Sequence, residues 1–565
     1  MFVQKARMYV SLLERNERKF LGTSVRFPIE RKHLRFLEDF FSMNTARKSR
    51  DWFLICSWII LIVVFAALVV FMSVHVEDLL DADMSSELVL GKLLKESGGI
   101  LSHQWYYSTE LRVLNTQLVY SFFFHVTNDW QTVRILGNVT LYLILLGSYF
   151  FLCKRVGIAR YFPLSAAVLL LPLSAPYFYV LLYGAYYIPR VSLTFIILGC
   201  LLPIAGETKR KAGAIVFGLL AVPLSLALGL EGARMLVVLF MPLAALVGLE
   251  TLVRLFLRRG QTRQERLHAL RQDKFLPYFG LSFFACLAAV VGYFINRYLL
   301  ISIYPFEPYG GMTIKMTLGT IKRTVFYQLN LIGNSTWTNI LSLAIWFFIA
   351  ALFVWYIVRK GEKSLPKLRF IWLNILSWAS YTLFGCIVSF GQTVWHMVPV
   401  AVLFIPGVAI VLSELPMKPV LRRVIAVGLG ACFLFLGILG YSTFARWTNR
   451  DAVRTSEAYT QMTDVLLKNG YRNGYATFWS ANNLTELSDG AIDMWCVKEF
   501  DKDTIGNPDI YQWLQDKSHD TERPSGKIFV VWTMDEFAQY GKQEFPYLGE
   551  VVFQDDTFFV FDIAE

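Results

Sequence analysis

Apolar runs long enough to cross a bilayer recur from residue 52 to residue 441 of this 565-residue chain. A membrane helix needs about 20 mostly apolar residues to span the hydrocarbon core. Eleven stretches meet that requirement, at 52–74, 132–153, 161–181, 187–205, 213–230, 235–257, 276–300, 338–358, 370–390, 397–414 and 424–441. Pro163, Pro172, Pro176 and Pro189 interrupt the third and fourth, where a re-entrant arrangement fits as well as two spans. Hydrophobic residues make up 55% of the chain and charged residues 17%, against about a quarter charged in an average soluble domain. Disorder, a collagen-like chain and an ordinary soluble enzyme are thereby excluded.

Charge sets the expected orientation. Residues 1–50 carry 12 Lys and Arg, so the N-terminus is expected in the cytoplasm. With eleven crossings, that end and the loops on the same side hold 33 Lys and Arg, against 9 in the opposite loops. This asymmetry follows the positive-inside rule and places the C-terminus outside the cell. The expected location is therefore a multi-pass protein of the cell membrane, of bacterial plasma-membrane type. No cleavable signal peptide is expected, because the first apolar run starts after fifty residues and is too long for a signal core. The basic segment 1–50 holds apolar residues at helical spacing (Phe36, Leu37, Phe40, Phe41), which suits an interfacial helix on an anionic leaflet or a solvated leader. Seven cysteines, six of them in apolar stretches, give no disulfide framework.

From residue 442 the chain changes character. Residues 451–565 carry a net charge of −12, which leaves +23 on the rest. Alternating patterns predict helices near 451–469 and 508–516 and a helix start at 482–487. Strands are predicted near 475–479, 492–497, 527–532, 549–553 and 558–561. The expected architecture is a polytopic α-helical membrane domain (51–441) followed by an extracytoplasmic α/β domain (442–565).

The first outer loop, 75–131, carries the most chemistry. It opens with Asp81, Asp83 and Glu87 just beyond a membrane span, and unpaired carboxylates at a membrane need a reason. Asp83 and Glu87 share a face of the helix expected at 85–95, which Ser85 or Asp83 is placed to cap. A solvated loop with capping acids is the plain alternative. His103, Trp105, Tyr106, Tyr107, Glu110, Arg112 and Asn115 follow, the mixture of aromatic and polar groups that stacks on sugar rings and bonds their hydroxyls. An interfacial aromatic belt has the same composition.

An Asp soon after the first span, an amphipathic helix, then glycines (Gly91, Gly98) and an aromatic polar segment: this loop resembles the first periplasmic loop of GT-C fold glycosyltransferases. Those multi-span enzymes, among them the protein O-mannosyltransferases and lipid A aminoarabinose transferases, use polyprenyl-phosphate sugars. The resemblance puts the family's catalytic Asp on Asp83. Met84 stands where the pattern has a second acid, and Asp81 or Glu87 can supply that carboxylate. It implies inverting transfer of a sugar from a polyprenyl-phosphate donor to the hydroxyl of a glycan, lipid or protein acceptor. The carboxylate would serve as general base, and cations would receive the leaving phosphate.

Cations expected on the outer face are few. Arg234 follows Glu231 in a Gly-flanked segment and suits a phosphate or an ion pair with that Glu. Tyr187 and Arg190 belong to the neighbouring loop. Lys315, Lys322 and Arg323 can hold a lipid phosphate or simply headgroups, and His396 opens the tenth span. No nucleotide-binding loop or His-Glu-x-x-His is present. Asp81-x-Asp83 leaves Mg²⁺ or Mn²⁺ open. The positive charge faces the cytoplasm, so nucleic acid is not an expected partner. A transporter or flippase would carry charges at mid-membrane, and a polysaccharide polymerase or ligase would keep its key Arg and His groups in later outer loops.

Overall fold

The computed structural model describes residues 51–565 except 79, 109–110, 205–210, 258–264, 266–274, 305–313, 315, 330–335, 360–363, 388–393, 448–452, 503, 505–507, 542–544 and 564–565. The basic segment 1–50 therefore lies outside the described residues, as do Glu110 and Lys315.

The chain begins with α1 (Trp52–Val74), α2 (Ala82–Ser97), a two-residue strand β1 (Trp105–Tyr106), α3 (Thr116–Phe124) and α4 (Trp130–Val156). Then come α5 (Phe162–Leu169), α6 (Ala175–Tyr183), α7 (Ile188–Leu201), α8 (Lys211–Leu230), α9 (Leu236–Phe256) and α10 (Phe275–Ser302). The bundle ends with α11 (Leu318–Leu329), α12 (Thr336–Val358), α13 (Leu365–Ile387), α14 (Trp395–Glu414) and α15 (Pro419–Trp447). Among the described residues eight helices are long and apolar enough to cross a membrane: α1, α4, α9, α10, α12, α13, α14 and α15. The bent pair α6 and α7 makes a ninth if it counts as one span, and Ile215–Leu230 of α8 is a shorter apolar helix.

The predicted third and fourth spans are recast rather than straight. Residues 161–181 split into α5 and α6, and α6 meets α7 at an angle of 83°. Ser174 caps the restart at Tyr177, with Pro176 at its first turn, and Phe178–Tyr183 is wound as a π-helix. A break within an apolar bundle strands backbone carbonyls, which must find donors inside the protein. Here Tyr142 Oη donates to Leu182 O (2.6 Å) and Asn138 Nδ2 to Tyr183 O (3.0 Å). Tyr183 Oη itself reaches His75 O and Val76 O. The bend is thus fixed by α4 on one side and by the start of the first loop on the other.

Helices α8 and α10 touch backbone to backbone. A Cβ on Gly229 would lie 2.1 Å from Ala289 O, and one on Gly292 would lie 2.2 Å from Leu226 O. Small residues at such a crossing let dispersion act over the whole contact, which drives helix association where no hydrophobic effect operates.

The tail folds as α16 (Val453–Lys468), β2 (Asn473–Thr477), α17 (Phe478–Leu487), β3 (Asp493–Val497), β4 (Gln515–Asp516), β5 (Ile528–Thr533), α18 (Met534–Tyr540), β6 (Leu548–Gln554) and β7 (Phe558–Ile563). The main sheet has the order β3-β2-β5-β7-β6, with β3, β2 and β5 parallel and the rest antiparallel. Alternate residues enter opposite cores, as the two-residue period requires. Ala476, Cys496, Val531 and Val560 face one core, and Tyr475, Trp495, Val530 and Phe561 the other. The first of these cores also contains Leu90 and Leu94 of α2 and Trp105, Tyr107 and Leu111 of the first loop. The first loop and the tail domain therefore share one hydrophobic core. All seven cysteines are free thiols.

The segment 508–516 is not the predicted helix. Ile510 bridges Val497, and Gln515–Asp516 pairs with Trp105–Tyr106. Gln515 brackets the backbone of Cys496, its Oε1 accepting from Cys496 N and its Nε2 donating to Cys496 O, both at 3.0 Å. That side chain completes the edge of the sheet where a helix would leave it open.

The α8–α10 crossing gives the first prediction. Gly292→Leu puts a side chain where backbone already stands, and should lower stability by about 3 kcal/mol or more. The measurement is thermal unfolding of the detergent-solubilised protein. An unchanged midpoint would show that the crossing tolerates separation.

Candidate active site

The acidic helix begins at Ala82, three residues before the start its sequence suggests. Asp81, not Ser85 or Asp83, is its N-cap: its backbone is extended, and its Oδ1 accepts from Met84 N at 2.9 Å. Gly98, at φ +71°, ends it. Capping uses up Asp81 locally and leaves Asp83 in the first turn. Among the described residues, nothing donates a hydrogen bond to the Asp83 carboxylate. Both acids are half-buried, with protein closing round them on most sides.

Burial disfavours the charged form of a carboxylate, and here it prevails. The Asp81 pKa is pushed up to about 7, by burial first and by the Asp83 charge second, against the Met84 N–H and Arg134. The Asp83 pKa is also raised by burial; Arg112 opposes the shift and Glu87 adds to it. A carboxylate that stays basic near neutrality and keeps its lone pairs available is equipped to take a proton.

Glu87 has a different position. It is buried, and its two oxygens accept from Arg112 Nη1 and Thr116 Oγ1, each at 2.8 Å. It anchors Arg112, whose guanidinium lies over the Tyr186 ring (5.7 Å) and within electrostatic reach of Asp83.

The bend between α6 and α7 supplies the facing wall. Tyr179 and Tyr186 both feel the Asp81 charge. Tyr186 meets Tyr187 edge to face, and Arg234 lies over the Tyr187 ring at 5.2 Å while donating to its hydroxyl. Arg112, Tyr186, Tyr187 and Arg234 form a continuous chain of contacts beginning beside Asp83. Trp395, next to half-buried His396, packs edge-on against Tyr179. Arg190 and Glu231 are 1% and 0% exposed, with Arg190 Nε 3.7 Å from Glu231 Oε2. Glu231 Oε1 accepts from Leu114 N (2.7 Å), so this buried pair ties the first loop to the bundle instead of facing a ligand.

The aromatic segment does not present rings to a sugar. Trp105, Tyr106 and Tyr107 are 0%, 5% and 3% exposed. Trp105 and Tyr106 pair with β4, Tyr106 Oη donates to Asp520, and Tyr107 Oη bonds to the backbone of Ser102. They hold the first loop to the tail domain. Asn115 is the buried N-cap residue of α3, and exposed His103 stacks on Tyr304 at 4.6 Å. Exposed Lys322 and half-buried Arg323 ride on α11, which packs on α13. Among the described residues no group of three or more His, Cys, Asp or Glu side chains converges to hold a metal ion.

The residues that sequence reasoning missed are Arg134 and Glu486. Arg134, on α4, is 1% exposed. Its Nε and Nη2 donate to the two oxygens of Glu486 on α17 (2.5 and 2.6 Å), and Nη2 also donates to Met84 O at 3.1 Å. The available signal was a lone arginine inside a membrane-length apolar run, which is a functional pointer in itself.

No protein-family model and no curated sequence matches the chain. Among solved structures it is similar to ArnT from Cupriavidus metallidurans bound to undecaprenyl phosphate. The TM-score is 0.53 at 13% identity, over 89% of this chain and 97% of that one. The apo state of that protein matches with a TM-score of 0.50, at the same identity and coverage. An oligosaccharyltransferase from Archaeoglobus fulgidus matches at 0.43 and 11% identity, over 85% of this chain and 68% of that one. At such identity the shared property is the fold. The chain has the GT-C architecture that its first loop resembles, a bundle of membrane helices followed by a C-terminal strand-containing domain.

Removing the Glu87 carboxylate leaves Arg112 and Thr116 without it, and one partner of a buried pair is costly to lose. Glu87→Ala should destabilise the protein by about 3 kcal/mol, discounted from the fully buried case because Arg112 is partly solvated. Thermal unfolding checks this; lost activity at unchanged stability would instead make Glu87 a reacting group.

Proposed function

We propose that the protein transfers a sugar from a polyprenyl-phosphate donor to an acceptor hydroxyl at the outer membrane face, with inversion, and that Asp83 is the general base. The observation that carries this reading is the state of Asp83: a half-buried carboxylate with raised pKa and no hydrogen-bond donor among the described residues, in the first turn of the first-loop helix. The fold supports the reading, since the similar ArnT structure holds undecaprenyl phosphate.

The chemistry balances without further groups. The Asp83 carboxylate takes the proton of the acceptor hydroxyl as its oxygen attacks the anomeric carbon. The bond from that carbon to the phosphate oxygen breaks, and its electron pair stays on the phosphate. That leaving group is already a stable anion, so it calls for cations rather than an acid. Arg112 and Arg234, both half-buried and arranged along the Tyr186–Tyr187 turn, are the proposed cations. His396 is proposed to join them beside Trp395. Asp81 shares the titration of the site, because two carboxylates this close ionise as a pair.

Two measurements test the reading, both made on the full-length protein in vesicles with a radiolabelled undecaprenyl-phosphate sugar. Asp83→Asn should lower transfer by about 10²–10⁴-fold, the range a positioned base contributes. Full retained transfer would end the proposal. The second is the pH profile. A base works only when deprotonated, so the rate should fall as pH drops through the raised pKa of Asp83, with the acid limb above the ordinary carboxylate range. Arg112 favours the Asp83 anion. Its removal in Arg112→Gln should move the limb to higher pH, and a limb that stays near 4 in both proteins would exclude these carboxylates.

A further inference from the structure

We propose that Arg134 and Glu486 are positioning residues for the transfer reaction: together they fix the backbone on the C-terminal side of Asp83, so that the tail domain sets the geometry of the base. This inference rests on the base role proposed for Asp83.

The backbone just after Asp83 is held from several sides. Met84 N is held by the Asp81 cap, and Met84 O by Arg134 Nη2. Ser86 Oγ donates to Asp83 O at 2.7 Å, and Ser85 Oγ donates to Asn483 Oδ1 at 2.8 Å. The Met84 side chain is confined as well, since a Cβ on Gly184 at the bend would lie 3.1 Å from Met84 Cε. Two of these restraints come from α17 of the tail domain. Asn483 acts directly, and Glu486 acts through the guanidinium it orients.

Glu486 is needed for that orientation. A guanidinium has five donors in one plane, and a carboxylate that takes two of them in parallel fixes the plane. Glu486 takes Nε and Nη2, which leaves Nη2 with a second hydrogen aimed at Met84 O. The Tyr120 ring lies against the guanidinium at 5.7 Å. Asn483 and Glu486 stand on the face of α17 that packs on α2, three residues apart, so one helix face delivers both restraints. Reaction rates are sensitive to errors of about 1 Å in the placement of a reacting group, and among the described residues no hydrogen bond to the Asp83 carboxylate itself supplies that placement.

The electrostatics give a test that a purely structural role would not pass. Asp81 is faced by Asp83 on its own helix, Arg134 from α4, and Tyr179 and Tyr186 from the bend, with Arg112 beyond Asp83 and Tyr186. Arg134 favours the Asp81 anion. Arg134→Gln removes that charge and should move the acid limb of the rate to higher pH. Glu486→Gln leaves Arg134 uncompensated and should move the limb to lower pH.

The experiment uses full-length protein in vesicles with the radiolabelled undecaprenyl-phosphate sugar, and amide exchange over residues 82–87 in the same preparations. Both Gln variants should lose about 10–100-fold in kcat with donor KM within twofold, shift the limb in opposite directions, and exchange faster over 82–87. Arg134→Lys keeps the charge without the planar fork, and should lose kcat while keeping the wild-type limb; it serves where a Gln variant does not fold. Wild-type kcat in folded variants, or limbs that move together, would overturn the proposal. If the wild-type protein transfers nothing, the base reading fails, and exchange alone decides the clamp: faster exchange in Glu486→Gln upholds it and unchanged exchange removes it.

Discussion

The Arg134–Glu486 ion pair joins three parts of the chain that are otherwise far apart in sequence. Taking both charges out of water is expensive, and their attraction repays it only where geometry is good and the remaining donors are satisfied. The geometry meets the first condition, and Nη2 uses its second hydrogen within the protein. The pair is bidentate, one Arg134 hydrogen goes to Met84 O, and an aromatic ring lies over the guanidinium. Breaking such a pair by removing one partner costs about 3–5 kcal/mol, because the other charge stays buried. The membrane-length helix α4, the acid-bearing helix α2 and α17 of the tail domain are therefore bound as one unit.

Around that pair the same elements are joined by apolar packing and by ordinary hydrogen bonds. Trp130 N donates to Asp489 Oδ1 at 3.0 Å beside the C-terminal end of α17. Trp105, Tyr107 and Leu111 enter the core of the tail sheet. Asn296 Nδ2 on α10 donates to Leu111 O and Leu230 O, which returns the first loop to the bundle. The first loop is thus a packed layer between bundle and tail.

What could be read from the sequence follows from how local each signal is. Membrane helices announce themselves by length and hydropathy and the tail strands by short apolar runs, but both residues of the pairs 475–476, 495–496 and 530–531 are apolar, and which one enters which core is set by the sheet's neighbours. The proline-rich stretch 161–205 signalled a break, but the angle depends on Tyr142, Asn138 and Tyr183 reaching carbonyls from other elements. The aromatic run 105–107 has one composition whether it faces a sugar or a core. Its burial is decided by Gln515 and Asp516, some four hundred residues away. Arg134 and Glu486 are likewise unremarked singly, and their meaning lies in a pairing across 352 residues.

The most consequential local difference is which of two acids, Asp81 or Asp83, caps α2. A cap residue folds its carboxylate back onto the helix, here onto Met84 N, and so spends its acceptor capacity. Had Asp83 been the cap, it would have been held by the backbone and made a poorer base. With Asp81 in that position, Asp83 falls in the first turn, where the helix dipole favours its anion by roughly 0.3–1 kcal/mol. Burial works against this and wins, since the net shift of Asp83 is upward despite Arg112. Two acids two residues apart thus acquire different properties from cap geometry alone. One secures the helix and shares the titration, while the other keeps its lone pairs and a raised proton affinity. A pattern of acids in a sequence does not distinguish these roles; the backbone conformation at residue 81 does.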